Sequence, residues 1–371
     1  MKVDRNYFPV NKKKISLFQK KLKKIILSRK FINSNSVISF EKEFGRLNHN
    51  SLATGVSSAS TGISALVDII CKKNYRYEII IPAFAPIPVA LAIKNFGYKV
   101  RFVDIDKETF LINEDEIIKN INKNTRIIMP VHLFGNVFDI KKLKKKINNK
   151  KIFIIEDASQ AHFSKINKKF VGSEGEASVF SFYPTKNLWA LGDAGVVLTK
   201  NKKLNSDLKS YRNYGLLSNK DKFKNYGNNF RMDEFQAEVL KINLKETIQL
   251  NKKRNLLARY YKKKLYDLPI RYQMINKNVL TNFHAFSILV NKKLRNKLFK
   301  YLISKKINCI IYYQKPLPYI LSKFKMKSLS KNFQNSNHIS KSIISLPINP
   351  NLTYKQLDYV CSKIREFFKI I

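Results

Sequence analysis

Ser181-Phe-Tyr-Pro-Thr-Lys186-Asn-Leu-Trp-Ala-Leu-Gly-Asp-Ala-Gly195 is the stretch on which the reading of this chain turns. Ala177 to Phe182, running into it, alternates as a strand does, and Val196 to Leu198 beyond it is a second apolar run. Pro184, Gly192 and Gly195 mark the stretch between them as a loop. A lysine held on a turn between two buried strands cannot reach bulk water freely. Desolvation favours its neutral form, and a neutral amine is a nucleophile toward aldehydes. Lys186 is one of 71 Lys and Arg residues, so its setting, not its charge, singles it out.

Toward the N-terminus four short apolar runs appear, Ile79 to Ile81, Val100 to Val103, Ile127 to Val131 and Ile152 to Ile155, separated by helical or loop segments. Alternating buried strands and helices predict an α/β domain with a mainly parallel sheet. In such sheets ligand groups gather at the carboxyl ends of strands. Asp104, His132 and Asp157 stand just past three of those ends. Upstream, Gly55-Val-Ser-Ser-Ala-Ser-Thr-Gly62 opens a helical pattern whose apolar face is Ile63, Leu66, Val67, Ile70 and Cys71. Hydroxyl residues before a helix cap it, and such an end also binds phosphate. Capping accounts for one Ser or Thr; this turn has four hydroxyls.

Downstream, Gly227 to Arg231 reads as a loop before a helical pattern from Asp233 to Leu244, and a Lys-rich helical stretch continues to about Leu265. Apolar runs at Phe286–Val290 and Ile307–Tyr313, with helical patterns at Leu294–Ile303 and Lys355–Phe368, predict a smaller α+β domain. The expected division is 1–245 for a large domain with an N-terminal helical segment, and 246–371 for the small one. At the start, Ile15, Phe18, Leu22, Ile25 and Ile26 recur at helical spacing among lysines. That pattern reads as a surface helix with a solvated face, or as a basic membrane-surface helix.

The net charge of +45 invites a nucleic-acid reading. Lys, Asn and Ile are heavy everywhere, however, and no Arg-rich arm or aromatic-basic interleaving stands out, so a compositional bias explains the charge better. Cys71, Cys309 and Cys361 are isolated, without metal-ligand or redox spacing, and fit free thiols in a reducing cytosol. The N-terminus lacks an apolar signal core. The uncharged stretch from Ile79 to Ile93 is short and holds Pro82, Pro86 and Pro88, which argues against a membrane span.

Three pieces belong together. A buried Asp157 needs a cationic partner to stay charged, and a protonated pyridine nitrogen is one. A buried Lys186 amine has a use if it meets an aldehyde. A phosphate at the helix opened by residues 57–61 would complete a pyridoxal phosphate (PLP) site. Each piece has a dull alternative: Asp157 as a helix cap, Lys186 as a solvated turn residue, Gln160 as a backbone hydrogen-bonder.

Phe31-Ile32 with Phe40-Glu-Lys-Glu-Phe44, Val103-Asp-Ile-Asp106, Pro130-Val-His-Leu-Phe-Gly135, Ile155-Glu-Asp-Ala-Ser-Gln-Ala-His162, the lysine block from Phe180 to Gly195, Gly227-x-Asn229-x-Arg231-Met-Asp-Glu-Phe-Gln-Ala237, and Ser345-Leu-Pro347 with Leu352-Thr353 run nearly end to end. Together they resemble the DegT/DnrJ/EryC1/StrS family of PLP-dependent nucleotide-sugar aminotransferases, which have the aspartate aminotransferase fold. The resemblance implies fold type I, with a mainly parallel central sheet sandwiched by helices and a smaller C-terminal α+β domain. It implies that Lys186 joins the cofactor aldehyde and later shuttles the proton, that Asp157 pairs with the pyridine nitrogen, and that Gln160 lies against the ring or its phenolic oxygen. Ser60, Thr61 and Ser181 would hold the phosphate. Asn229 would reach the phosphate of a neighbouring subunit in a homodimer with shared active sites. Glutamate would convert PLP to pyridoxamine 5'-phosphate, which would aminate a keto-sugar on a nucleoside diphosphate in the cytoplasm, for amino-sugar biosynthesis. Gln160 and the lysine block are more similar to the 3-amino-sugar branch, acting on dTDP-3-keto-6-deoxyhexoses, than to members aminating carbon 4.

Some positions depart from the family pattern. Pro86, in Pro82-Ala-Phe-Ala-Pro86, stands where an aromatic residue stacks on the cofactor, so stacking is lost or passes to another residue, with Phe84 a candidate if the loop is shifted. Trp189 replaces a common glycine and either narrows the substrate pocket or packs on a partner subunit. Ala59-Ser60 replaces Gly-Thr at the phosphate turn, and Tyr312 stands where His is common. Tyr183, Trp189, Tyr312 and Tyr313 are the candidate substrate contacts. A family relative without activity, serving as a binding protein, is the rival reading that Pro86 keeps open; dehydratase relatives carry His in place of the lysine.

Overall fold

The computed structural model describes residues 1–5, 10–49, 51–147, 151–216, 222–224, 226–324 and 333–370. Helices α1 (Lys12–Ser28) and α2 (Asn35–Leu47) lead into strand β1 (Leu52–Val56) and helix α3 (Ala59–Cys71). Alternation follows: β2 (Glu78–Pro82), α4 (Ile87–Lys94), β3 (Lys99–Val103), α5 (Glu114–Asn120), β4 (Thr125–Ile128), α6 (Ile140–Lys146) and β5 (Phe153–Asp157). Two-residue strands β6 (Lys165–Ile166) and β7 (Lys169–Phe170) precede β8 (Ala177–Ser181), β9 (Gly195–Thr199), α7 (Lys202–Tyr211) and α8 (Glu234–Lys264). The chain ends with β10 (Arg271–Tyr272), β11 (Val279–Leu280), β12 (Phe286–Leu289), α9 (Arg295–Ser304), α10 (Leu317–Ser322), α11 (Gln334–Ser342), β13 (Ile343–Leu346) and α12 (Tyr354–Ile370).

The predicted central sheet is present, with seven strands in the order β1-β9-β8-β5-β4-β2-β3. All its neighbours from β8 to β3 pair in parallel, and β9 alone runs against the rest. Helices cover both faces, so the strands are apolar throughout: Ile79, Ile80 and Ile81 are each wholly buried, worth about 2 kcal/mol apiece. The predicted face of α3 is also buried.

A second core forms around the three-stranded sheet β10-β12-β13 with α9 and α12. The apolar run 307–313 was expected to be regular structure; it makes only isolated bridges, Val3 with Ile307 and Ile310 with Ser345. Val3 is wholly buried in this second core, tying the chain start to its end. Helix α8 runs unbroken through position 245. Leu244 is its last residue in the sheet-side core and Leu257 its first in the second, so the helix itself links the two.

Helix α1 is capped by Asn11, whose side chain accepts from the Lys14 amide. Phe18 and Ile25 of the predicted set are buried and Leu22 packs beside Phe18, whereas Ile15 and Ile26 are 45% and 56% exposed. Lys14 joins the buried stripe instead, its ammonium paired with Glu246 of α8 and lying over the Trp189 ring, 5.3 Å from the centroid. Among the described residues no helix is long and apolar enough to cross a membrane.

Candidate active site

Strand order brings distant segments to one edge. Asp157 ends β5, Ser181 ends its neighbour β8, and β9, running the other way, begins at Gly195 opposite both Ser181 and Val56. Ser57 to Thr61 follow Val56 directly, so the hydroxyl turn, Ser181 and Asp157 share the carboxyl edge of the sheet. Gly195 permits this closeness: a Cβ there would lie 2.5 Å from the Ser58 carbonyl carbon.

Lys186 sits in the loop joining β8 to β9, as predicted. The loop is closed by Phe182 N–H to Ala194 O, Ala190 N–H to Phe182 O, and Lys186 N–H to Tyr183 O, all 2.8 Å. Burial pushes the Lys186 amine down to about 8, with the Asp157 charge pulling partly back. Roughly a tenth of such an amine is neutral at pH 7, against well under a thousandth for a solvated lysine.

Asp157 is 2% exposed. Its Oδ1 accepts from Ser159 N–H at 3.0 Å. No described cation comes within ion-pair distance, so the cap reading accounts for one oxygen, and the buried charge feels the Lys186 amine only from beyond that distance. The preceding residue, Glu156, is fully engaged: it accepts from His132 Nε2 at 3.0 Å and from the amides of Gly172, Glu174 and Gly175. Burial alone would raise its pKa; the His132 hydrogen bond and the glycine amides bring it below the usual range. His132 is therefore a support for β5. Asp104 is one for α11, accepting from the Asn335 and Ser336 amides at 2.8 and 2.9 Å.

At the hydroxyl turn, capping claims part of the predicted phosphate set. Ser58 and Thr61 form a reciprocal box: Ser58 N–H donates to Thr61 Oγ1 at 3.0 Å and Thr61 N–H to Ser58 Oγ at 3.2 Å. The Ser60 hydroxyl makes no hydrogen bond among the described residues, and the residue is half-buried on the first turn of α3. Ser181 Oγ is buried, in reach only of the Tyr183 amide at 3.4 Å.

Gln160 is spoken for on both atoms. Its Oε1 accepts from Phe134 N–H at 2.8 Å and its Nε2 donates to the Tyr313 hydroxyl at 3.1 Å. Phe84 is buried edge-on to Tyr313, centroids 5.6 Å apart, and Phe134 stacks on that ring from 6.4 Å. Pro86 caps α4 instead of offering a ring. Tyr183 is half exposed at the loop. Tyr312 receives a hydrogen bond from Arg5. Asn229 accepts from Arg231 Nε at 3.0 Å and lies beside the turn, since Ser57 N–H bonds Phe230 O at 2.9 Å. Trp189 packs on its own chain, against Phe18 of α1 and Val239 of α8, which neither sequence reading anticipated; it also walls the hollow beside Lys186.

Several residues around Lys186 escaped sequence reasoning. His162 is wholly buried between Phe180 and Phe182, each ring centroid 5.6 Å away. Burial, then the Lys186 charge, push it down to about 3. His284 is pushed well below its usual value by burial and by Lys186, Arg254, His162 and Arg5. Arg254 follows the stripe Leu257, Ala258 and Tyr261 of α8 at helical spacing; a charge on an apolar stripe is the signal that could have revealed it. A hollow of about 850 Å³ between α1 and α8 is walled by Lys13, Lys21 and Lys245 among others and contains neither Lys186 nor Asp157.

A lysine tuned toward its neutral form, a buried carboxylate with no described cation at ion-pair distance, and a helix N-terminus with a free hydroxyl fit PLP at the carboxyl edge of a mainly parallel sheet. They define a PLP-dependent transferase of fold type I. Residues 13–365 match the DegT/DnrJ/EryC1/StrS aminotransferase family, and the chain belongs to that family. It is similar to the dTDP-3-amino-3,6-dideoxy-alpha-D-galactopyranose transaminase of Aneurinibacillus thermoaerophilus, at 31% identity over 74% of this chain and 75% of that one. The GDP-perosamine synthase of Escherichia coli O157:H7 is 29% identical over 76% and 78%. The structure of S. venezuelae DesV superposes with a TM-score of 0.90 at 27% identity, covering 95% of this chain and 94% of that one. The protein is a sugar aminotransferase, and its cofactor is pyridoxal phosphate.

Proposed function

We propose that the enzyme moves an amino group from glutamate to a nucleotide-linked keto-sugar, a dTDP-3-keto-6-deoxyhexose, giving a 3-amino sugar. The observation that carries this reading is the placement of Lys186 between β8 and β9 with its amine partly desolvated near Asp157. Pyridoxal phosphate, when bound, supplies the aldehyde and the electron sink. Asp157 holds a positive charge on the ring nitrogen. Ser60, Ser181 and the free amides opening α3 hold the phosphate, with Thr61 contributing through its cap. Lys186 Nζ takes a proton from one carbon and returns it to another, a task suited to an amine near pH 8. Gln160, fixed by Phe134 and Tyr313, walls the ring, and Tyr183, Trp189 and Tyr312 border the sugar. Asn229 serves the neighbouring subunit of a cytoplasmic homodimer. The carbon-3 assignment is supported by relatives such as the Aneurinibacillus enzyme.

The test is a panel of dTDP-, UDP- and GDP-linked keto-sugars with glutamate, reading product mass and the position of the new amine. An amine at carbon 3 of a dTDP sugar is expected. An amine at carbon 4 overturns the finer assignment, and no aminated product from any sugar overturns the reading itself.

A further inference from the structure

Beside the lysine loop lies a small hollow of about 40 Å³ walled by Lys186, Arg254, Arg5, His284, Tyr312 and Trp189, among others, and among the described residues no aspartate or glutamate contributes to it. Arg254 reaches it from α8. Its Nη1 donates only to main-chain carbonyls, of Ile348 at 2.6 Å and Phe283 at 3.5 Å. No described carboxylate pairs with it, and burial is the one influence on its charge, pushing it down to about 10. Arg5 arrives from the chain start, held by Val3 N–H to Lys306 O at 3.0 Å and by Asn349 Nδ2 to the Asp4 carbonyl at 2.7 Å. Its Nη1 donates to the Tyr312 hydroxyl, and its buried Nε has no partner among the described residues.

Two guanidiniums and an ammonium thus border one space with no acidic residue among its described walls. All three are half-buried, and like charges gathered out of full solvent contact without a counter-ion are unfavourable, so the arrangement suits an anion. Guanidinium forks favour a planar anion with two oxygens. The space decides between candidates: a water needs roughly 10–15 Å³ of such space, so about 40 Å³ admits a small carboxylate end, whereas nucleotide-sized ligands need hundreds of Å³.

We infer that Arg254 and Arg5 form the subsite for a carboxylate of the amino donor, holding the donor's amine toward Lys186. This rests on the proposed use of glutamate. His284, kept neutral among these cations, adds no competing charge, and Tyr312 orients Arg5.

The test titrates glutarate, a dicarboxylate with no amine, into apoenzyme and holoenzyme by calorimetry, with Arg5→Gln and Arg254→Lys alongside. Glutarate affinity is expected to fall at least tenfold in each variant, and the KM for glutamate to rise as much while the KM for keto-sugar holds. Arg5→Gln leaves the Arg254 ties to Ile348 in place, so it tests the subsite even if Arg254→Lys fails to fold. Glutarate affinity within twofold of the parent in Arg5→Gln overturns the subsite. A loss that falls on the keto-sugar KM instead also overturns it and assigns the arginines to a diphosphate. Arginine-dependent glutarate binding without any sugar amination upholds the subsite and sinks only the proposed reaction.

Discussion

Asp157, the last residue of β5, pairs in parallel register with Val179 of β8. Hydrogen bonds fix it from both sides: its amide donates to Pro130 O at 2.9 Å and its carbonyl accepts from His132 N–H at 3.0 Å. The carboxylate therefore cannot swing away from the strand that leads to Lys186, and its charge raises the amine that burial lowers. Asp157→Asn keeps the shape and the hydrogen bond from Ser159. The expected outcome is a Lys186 titration moved below about 8, seen as a lower midpoint in the pH dependence of PLP recombination with apoenzyme. Turnover should fall by roughly a hundredfold or more, since the ring nitrogen loses its anionic partner. An unmoved midpoint with undiminished turnover refutes the pairing.

Lys186 also makes stability depend on pH. Its folded value, about 8, lies below the value near 10.4 expected in the unfolded chain. Between these values the unfolded state binds more protons, so the apoenzyme gains stability as pH rises from 8 to about 10.4. Below pH 8 the ammonium is a burden of about 2 kcal/mol after allowance for partial exposure. Lys186→Met should therefore stabilise the apoenzyme at pH 7 and lose that advantage by pH 10.5. Thermal melts of both proteins across this range measure it, and parallel pH profiles would exclude the effect.

The parts of the site that were legible in sequence are those made by local pattern. β5 and β8 are continuous apolar runs, so their ends, Asp157 and Ser181, could be placed by eye, and Lys186 fell in the only loop long enough to close between β8 and β9. Thr61 was legible as a hydroxyl but not as half of a capping box, because phosphate binding and capping draw on the same residues at the same helix end. Arg254, Arg5 and His284 were not legible: they meet Lys186 through tertiary packing, and in a chain with 71 basic residues no local feature flags them except the apolar stripe around Arg254. The stripe of α1 was legible at Phe18, Leu22 and Ile25 and departs from the pattern at Ile15 and Ile26, for a related reason. Lys14 took a core position because a partner on a distant helix, Glu246, neutralises it there.

Trp189 couples the lysine loop to α1. Its ring meets Phe18 edge-on, centroids 6.3 Å apart, and its carbonyl accepts from Asn243 Nδ2 at 2.7 Å. Trp189→Ala should cost roughly 3–5 kcal/mol and loosen α1 first. Limited proteolysis reports this directly: cleavage within Lys12–Ser28 should precede global unfolding in the variant and not in the parent. Trp189→Phe should restore most of the protection. Equal protection of α1 in the alanine variant would show that its ion pairs to α8, Lys14 with Glu246 and Lys21 with Glu238, suffice to hold the helix.

Asn187 holds the residue next to Lys186 in place. Its Nδ2 donates to Asn251 Oδ1 at 2.8 Å and to the Asn282 carbonyl at 3.0 Å, and its Oδ1 accepts from His284 Nδ1 at 3.2 Å. Asn251 and Asn282 in turn donate to the His162 carbonyl at 2.9 and 3.1 Å. All three asparagines are buried, so Asn187→Ala leaves acceptors on two segments without a donor, at about 1–3 kcal/mol each. The network spans the loop, α8 and the approach to β12, and its loss should free the lysine loop before the cores open. Hydrogen exchange at the Lys186 amide, which bonds Tyr183 O at 2.8 Å, is expected to speed up while amides of β2 and β4 keep their protection. The kcat should fall tenfold or more with KM for keto-sugar little changed, because a displaced amine fails in proton transfer and not in binding. Exchange that rises uniformly across the sheet would mark Asn187 as a general fold contact and remove it from the positioning of Lys186.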